Sequence, residues 1–118
     1  MLFRFREFQV YKDAQVFRSG IYKLTQKFPK DEVFGLTAQT RRATNSVILN
    51  IAEGSNRESD LDFKRFLNTS LTSLEEVVAC LDIALDEGYI TGEEHSEKLK
   101  AAEILGKQLL GFIKKLRK

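Results

Sequence analysis

Cysteine, proline, tryptophan and histidine are nearly missing from this chain of 118 residues, which has one Cys, one Pro, one His and no Trp. A single cysteine, Cys80, makes no intrachain disulfide, so cross-linked secreted scaffolds are excluded and a reducing compartment is expected. With one histidine, His95, a His-rich metal site has no support, and neither does a Cys-His nucleophilic pair, because Cys80 lies far away on another predicted helix. Glu93-Glu94-His95 lacks the second histidine of a zinc-binding helix, and the paired Glu-x-x-His motifs of a bundle dimetal site are absent. The glycines offer no phosphate-loop spacing. The sequence therefore predicts no catalytic residue, no metal and no cofactor. No apolar run approaches the roughly 20 residues that span a bilayer, and the opening MLFRFREFQV alternates charge with apolar residues where a signal peptide would be continuously apolar. A cytoplasmic protein with no membrane partner is expected.

What is abundant favours helix. The single proline, Pro29, leaves long uninterrupted stretches rich in Leu, Lys, Glu and Ala. Val10, Ala14, Phe17, Ile21, Leu24 and Phe28 repeat at spacings of four and three, predicting a first helix over about 9–28 that Pro29 terminates. Gly20 inside it suggests a close backbone approach. A second helix over about 35–54 ends at Gly54. Ser59 with Asp62 reads as a capping box opening the third, about 60–88, closed by Gly88; Thr91 with Glu94 opens the fourth, about 92–117. In these registers His95 and Cys80 read as packing residues. Four amphipathic helices with short connections make an all-α, antiparallel, up-down-up-down four-helix bundle, one domain over residues 1–118.

The second helix has two working faces. Leu36, Ala43, Val47, Ile48, Ile51 and Ala52 fill one arc, while Gln39, Arg42, Ser46, Asn50 and Glu53 run down the other. These amides, hydroxyl, guanidinium and carboxylate can hydrogen-bond to one another, so the row reads either as a solvated stripe or as a polar seam within the bundle or against another subunit. Arg41 falls at the edge of the apolar arc, where pairing with Glu76 or Glu53 competes with a ligand contact.

The formal net charge of +2 conceals a polarised distribution. Antiparallel topology gathers Arg4, Arg6, Arg57, Lys64, Arg65, Lys114, Lys115, Arg117 and Lys118 at one pole, outnumbering Glu7, Glu53, Glu58, Asp60 and Asp62. The other pole collects Asp31, Glu32, Asp86, Glu87, Glu93, Glu94 and Glu97 against Lys27 and Lys30. A basic pole suits phosphate binding, although cations at a helix C-terminus are favoured by its dipole without any ligand. A second basic row, Lys100, Lys107 and Lys114, is expected to be consumed mainly by pairs across to the third helix, Lys100 with Asp82 and Lys107 with Glu75.

FGLTAQTRRATNSVILNIAEG, followed by NRESDLDFKRFL and SLEEVVACLDIALDEGYI, closely resembles the 23S rRNA intervening-sequence protein family, also called the S23 or four-helix-bundle family. The likeness runs from about Val10 to Ile90. It rests on Gln39, Arg41, Arg42, Ser46, Asn50, Glu53, Gly54, Arg57, Ser59, Phe63, Arg65, Phe66, Leu67, Ser73, Leu74, Glu76, Gly88 and Tyr89. Ile48 stands where the family often has proline, Thr72 where it has glycine and Val78 where it has glutamate. The resemblance implies a ring-like homopentamer and, through the accessory variability proteins of diversity-generating retroelements, contact with nucleic acid and a reverse transcriptase. The resulting expectation is an oligomeric, non-enzymatic protein that binds structured RNA or RNA-DNA through the basic pole, as accessory to an RNA-processing or reverse-transcribing partner. A protein-interaction scaffold without nucleic-acid contact is the rival.

Overall fold

Apolar side chains at four-three spacing bury one stripe on each of four helices: α1 (Gln9–Thr25), α2 (Leu36–Gly54), α3 (Asp60–Asp86) and α4 (Gly92–Lys115). The computed structural model describes residues 2–116, and among them no strand occurs. Ile21 of α1, Ile51 of α2, Leu67 and Leu81 of α3 and Leu109 of α4 are completely enclosed. Each such side chain contributes about 1.5–3 kcal/mol by leaving water. At about 1.5 Å per residue, the 27 residues of α3 span nearly the whole 44 Å long axis.

The helices run antiparallel in chain order, and contacts at both ends prove it. At one pole the rings of Phe8, Phe63 and Phe112 pack together, with Phe112 centred 5.1 Å from Phe8 and 5.3 Å from Phe63. This joins the start of α1 and α3 to the end of α4. At the other pole Phe28 meets Tyr89 at 5.7 Å, and Lys27 pairs with Glu94. The α2–α3 pairing is the most extensive and α1–α4 the thinnest of the four lateral contacts.

Several helix ends depart from expectation. α1 stops at Thr25, short of Phe28, because the chain tightens: the amides of Lys27 and Phe28 bond to carbonyls three residues back, at 3.1 Å each. That turn tucks Phe28 under Tyr89 in the core. Two short 3-10 turns, Arg4–Glu7 and Lys30–Glu32, were invisible to periodicity because they are shorter than one apolar repeat. Ser59 does accept a bond from the Asp62 amide at 3.1 Å, but Asp62 turns its carboxylate toward Arg65 (3.5 Å). Thr91 and Glu94 make the full reciprocal box, at 2.9 and 3.1 Å.

Two glycines are required for different reasons. Gly88, with φ +76°, adopts the left-handed conformation after α3, and the Tyr89 amide reaches back to the Ala84 carbonyl at 2.9 Å. Gly54 is not a left-handed cap. A Cβ there would stand 2.6 Å from Phe66 Cβ and 2.9 Å from Phe63 Cδ1, so α3 approaches too closely for any side chain. At Gly20 the expected close backbone approach does not occur: the near neighbour is the ammonium of Lys98 from α4, the far end of a flexible side chain.

Candidate nucleic-acid interface

The basic pole is built by three chain segments that the ring cluster holds together. Phe8 starts α1 and packs inward, which folds the preceding 3-10 turn over the end of α2. Arg4 then donates from Nε and Nη2 to the Ser55 carbonyl, at 3.1 and 2.9 Å, with its guanidinium 5.5 Å from the centres of Phe8 and Phe63. It satisfies a carbonyl that the helix end would leave unpaired, a structural task that occupies two of its donors. Arg57 lies over the Phe66 ring at 4.5 Å, and Arg65 faces Asp62.

The remaining described cations of this pole are differently placed. Arg6, Lys114 and Lys115 are exposed and Lys64 is half-buried, and none of the four has an ion pair among the described residues. Arg117 and Lys118 lie outside the described residues. Beside the Arg4 turn an open groove of 600 Å³ is lined by Phe3, Ala52, Glu53 and Arg57 among others.

The polar row of α2 divides into a packed part and a free part. Ser46 and Ser73 hydroxyls meet at 2.8 Å; Asn50 donates back to the Ser46 carbonyl and hydroxyl at 2.8 and 3.0 Å; Gln39 reaches Glu76 at 3.5 Å. Deeper in the same interface, fully buried Ser70 donates to the Val47 carbonyl at 2.6 Å. Small hydroxyl residues thus let α2 and α3 approach closely while keeping their polar groups satisfied. Arg42 and Glu53 point outward instead.

Arg41 corrects the sequence reading. It pairs with neither Glu76 nor Glu53 but turns to α1, donating from Nε to Thr25 Oγ1 at 2.9 Å and from Nη2 to the Tyr22 carbonyl at 3.2 Å. The reason is angular: Arg41 sits on the flank of α2 facing α1, whereas Glu76 belongs to α3 on the other side. The Tyr22 ring receives two guanidinium groups, Arg18 at 4.0 Å and Arg41 at 4.5 Å from its centre. Asn45 completes the cluster, accepting from Arg18 Nε at 2.7 Å and donating to the Tyr22 hydroxyl at 2.8 Å. Arg18, Tyr22 and Asn45 escaped the sequence reading. Their signal was the four-residue spacing of Arg18 to Tyr22 and of Arg41 to Asn45, which becomes meaningful only once α1 and α2 are known to be neighbours.

The expected α3–α4 ion pairs are also absent among the described residues. Asp82 is engaged by His95, 2.7 Å away, and Lys98 meets Glu97 at 3.2 Å. Antiparallel packing brings the start of α4 over Asp82, so the histidine arrives before Lys100 does. Lys100 and Lys107 stay exposed without ion pairs among the described residues.

At the acidic pole, Glu32 joins the start of α2 to the loop after α3, accepting from the Leu36 amide at 2.9 Å and the Tyr89 hydroxyl at 2.8 Å. The Leu36 bond, with help from Tyr89, holds its carboxyl below the usual range; the same carboxylate pushes the Tyr89 phenol up to about 12. Cys80 is buried, and burial raises its thiol. Among the described residues no group of three or more His, Cys, Asp or Glu side chains is placed to hold a metal ion, and no helix is long and apolar enough to cross a membrane.

Comparison with known proteins agrees with this architecture. No curated protein matches the chain. The crystal structure of a protein of unknown function from the S23 ribosomal protein family from Bacteroides thetaiotaomicron VPI-5482 superposes with a TM-score of 0.82 at 25% identity, covering 89% of this chain and 98% of that one. The profile of the 23S rRNA-intervening sequence proteins matches residues 6–111. With that match spanning all four helices, the chain belongs to the 23S rRNA-intervening sequence protein family.

Proposed function

We propose that this protein is a non-enzymatic helical module that binds structured RNA or RNA-DNA through its basic pole, in the service of an RNA-processing or reverse-transcribing partner. The observation that carries the reading is the set of cations left free of ion pairs there among the described residues: Arg6, Lys64, Lys114 and Lys115. Such groups bind phosphates with counterion release, whereas the neighbouring Arg4 is fixed on the Ser55 carbonyl. Family membership supports an RNA-related role.

Self-association as a homopentamer belongs to the same proposal. Exposed Val16, Leu49, Ile83, Ile104 and Leu110 favour a covered state, and a ring of parallel subunits would align their basic poles on one rim and multiply weak phosphate contacts. The same exposed residues favour, as second reading, a scaffold that docks proteins alone. Anisotropy of a labelled structured RNA, titrated across a salt series with protein of known solution mass, separates the two. Affinity falling steeply with salt, and abolished on joint reversal of Arg6, Lys64, Lys114 and Lys115 to Glu in a variant of unchanged mass, is expected. Absence of binding at low salt would leave the scaffold.

A further inference from the structure

The outer groove between α1 and α2 holds a cationic cluster far from the pole just described. An arginine fixed inside a protein is ordinarily fixed by a carboxylate, which cancels its charge. Here neutral groups do the fixing: Asn45 accepts from Arg18, Thr25 and the Tyr22 carbonyl accept from Arg41, and the Tyr22 ring backs both guanidinium groups. The terminal nitrogens of Arg18 make no hydrogen bond among the described residues, and adjacent Arg42 is exposed with no polar contact of its own among them. Orientation is set and the positive charge is left over. An open depression of 580 Å³ runs beside Arg41 and Arg42, past Asn45 and Asn50, and its one carboxylate among the described residues is Glu53 at the end nearer the basic pole.

We propose that this groove is a second phosphate-binding track for the same structured RNA, with Arg18 and Arg42 making the contacts and Arg41 holding the wall. The inference rests on the RNA-binding reading above and deepens it. Arg42 lies 12 residues before Gly54 on α2, about 18 Å along the axis at 1.5 Å per residue. That length of duplex carries about ten phosphate charges, one per roughly 1.7 Å. A nucleic-acid backbone therefore reaches both the groove and the pole with charge to spare, whereas an extended peptide covering the same span of about 18 Å, about five or six residues, carries at most about half that many charges. The planar guanidinium forks match phosphate oxygens, and the Asn45 amide beside them keeps one N–H, beyond the one given to the Tyr22 hydroxyl, for the same strand.

Two variants of the full chain test this: Arg42→Gln alone, which disturbs no polar contact among the described residues, and Arg18→Gln/Arg42→Gln. Each is titrated with a labelled structured RNA, and the slope of log affinity against log salt is compared with that of the unaltered protein. The slope is expected to become shallower by about 0.7–0.9 for each phosphate that the variant no longer neutralises, with solution mass and helicity unchanged. A slope and affinity equal to the parent's in both variants, while variants at Lys64, Lys114 and Lys115 bind weakly, would overturn the groove and leave the pole standing. If the parent protein binds no RNA even at low salt, the RNA-binding reading fails and the groove inference falls with it.

Discussion

Replacing Gly54 with alanine tests how α2 and α3 are locked. The added Cβ would lie 2.6 Å from Phe66 Cβ, 2.9 Å from Phe63 Cδ1 and 3.3 Å from Phe63 Cε1, where carbon atoms normally rest about 3.5–4.0 Å apart. Phe66 Cβ is bonded directly to the α3 backbone and cannot swing aside, so relief requires α3 itself to move by about 1 Å. Overpacking of this kind costs about 1–3 kcal/mol. Alanine offsets at most about 1 kcal/mol through its better helix propensity, and less at the last residue of a helix. The net expectation is a loss of about 1–2 kcal/mol, measured by urea denaturation followed by far-UV circular dichroism with an unchanged m-value. Gly111→Ala is the control: it lies within α4, its Cβ would meet nothing within 4 Å, and it should gain up to about 1 kcal/mol. If Gly54→Ala were as stable as the parent, the close approach would not be what demands glycine, and the account of the α2–α3 lock would be wrong.

Gly88→Ala should cost about 1–2 kcal/mol through left-handed strain at φ +76°, although its Cβ would enter open space; a midpoint equal to the parent's would contradict the capping geometry. Arg41→Met removes the two bonds that Arg41 makes to α1 and leaves those of Asn45 in place, and a loss of about 1–3 kcal/mol is expected in the same assay; an unchanged midpoint would mean that the Arg41 link is idle. Glu32, Glu94 and Asp13 all have carboxyls held below their ordinary values, by the Leu36 amide, Lys27 and Gln108 respectively as the largest causes. A lowered folded value means stability that is complete above the ordinary carboxyl range, 3.8–4.5, and lost as pH falls through the lowered values. Melting temperature should therefore drop on acidification below about pH 4.5, less steeply in Glu32→Gln; equal slopes would dismiss the Glu32 contribution.

Local physics was legible in the sequence because it acts within a few residues. Four-three spacing placed the stripes that carry Ile21, Ile51, Leu81 and Leu109, and the Thr91-Glu94 box and left-handed Gly88 needed only their immediate neighbours. Antiparallel order followed from short connections, and with it the gathering of Arg4, Lys64 and Lys114 at one end. Which groups face each other across helices was not legible, since a rotation of one helix by a fraction of a turn exchanges one partner for another. Tertiary structure alone sent Arg41 to Tyr22 and Thr25 on α1, gave Asp82 to His95 ahead of Lys100, and set Arg4 on the Ser55 carbonyl. It also changed the meaning of Gly54, from a helix stop into the point where α3 leaves no room for a side chain. Periodicity determines which face of a helix is buried; only packing decides which neighbour each polar side chain meets, and hence which charges stay free to bind.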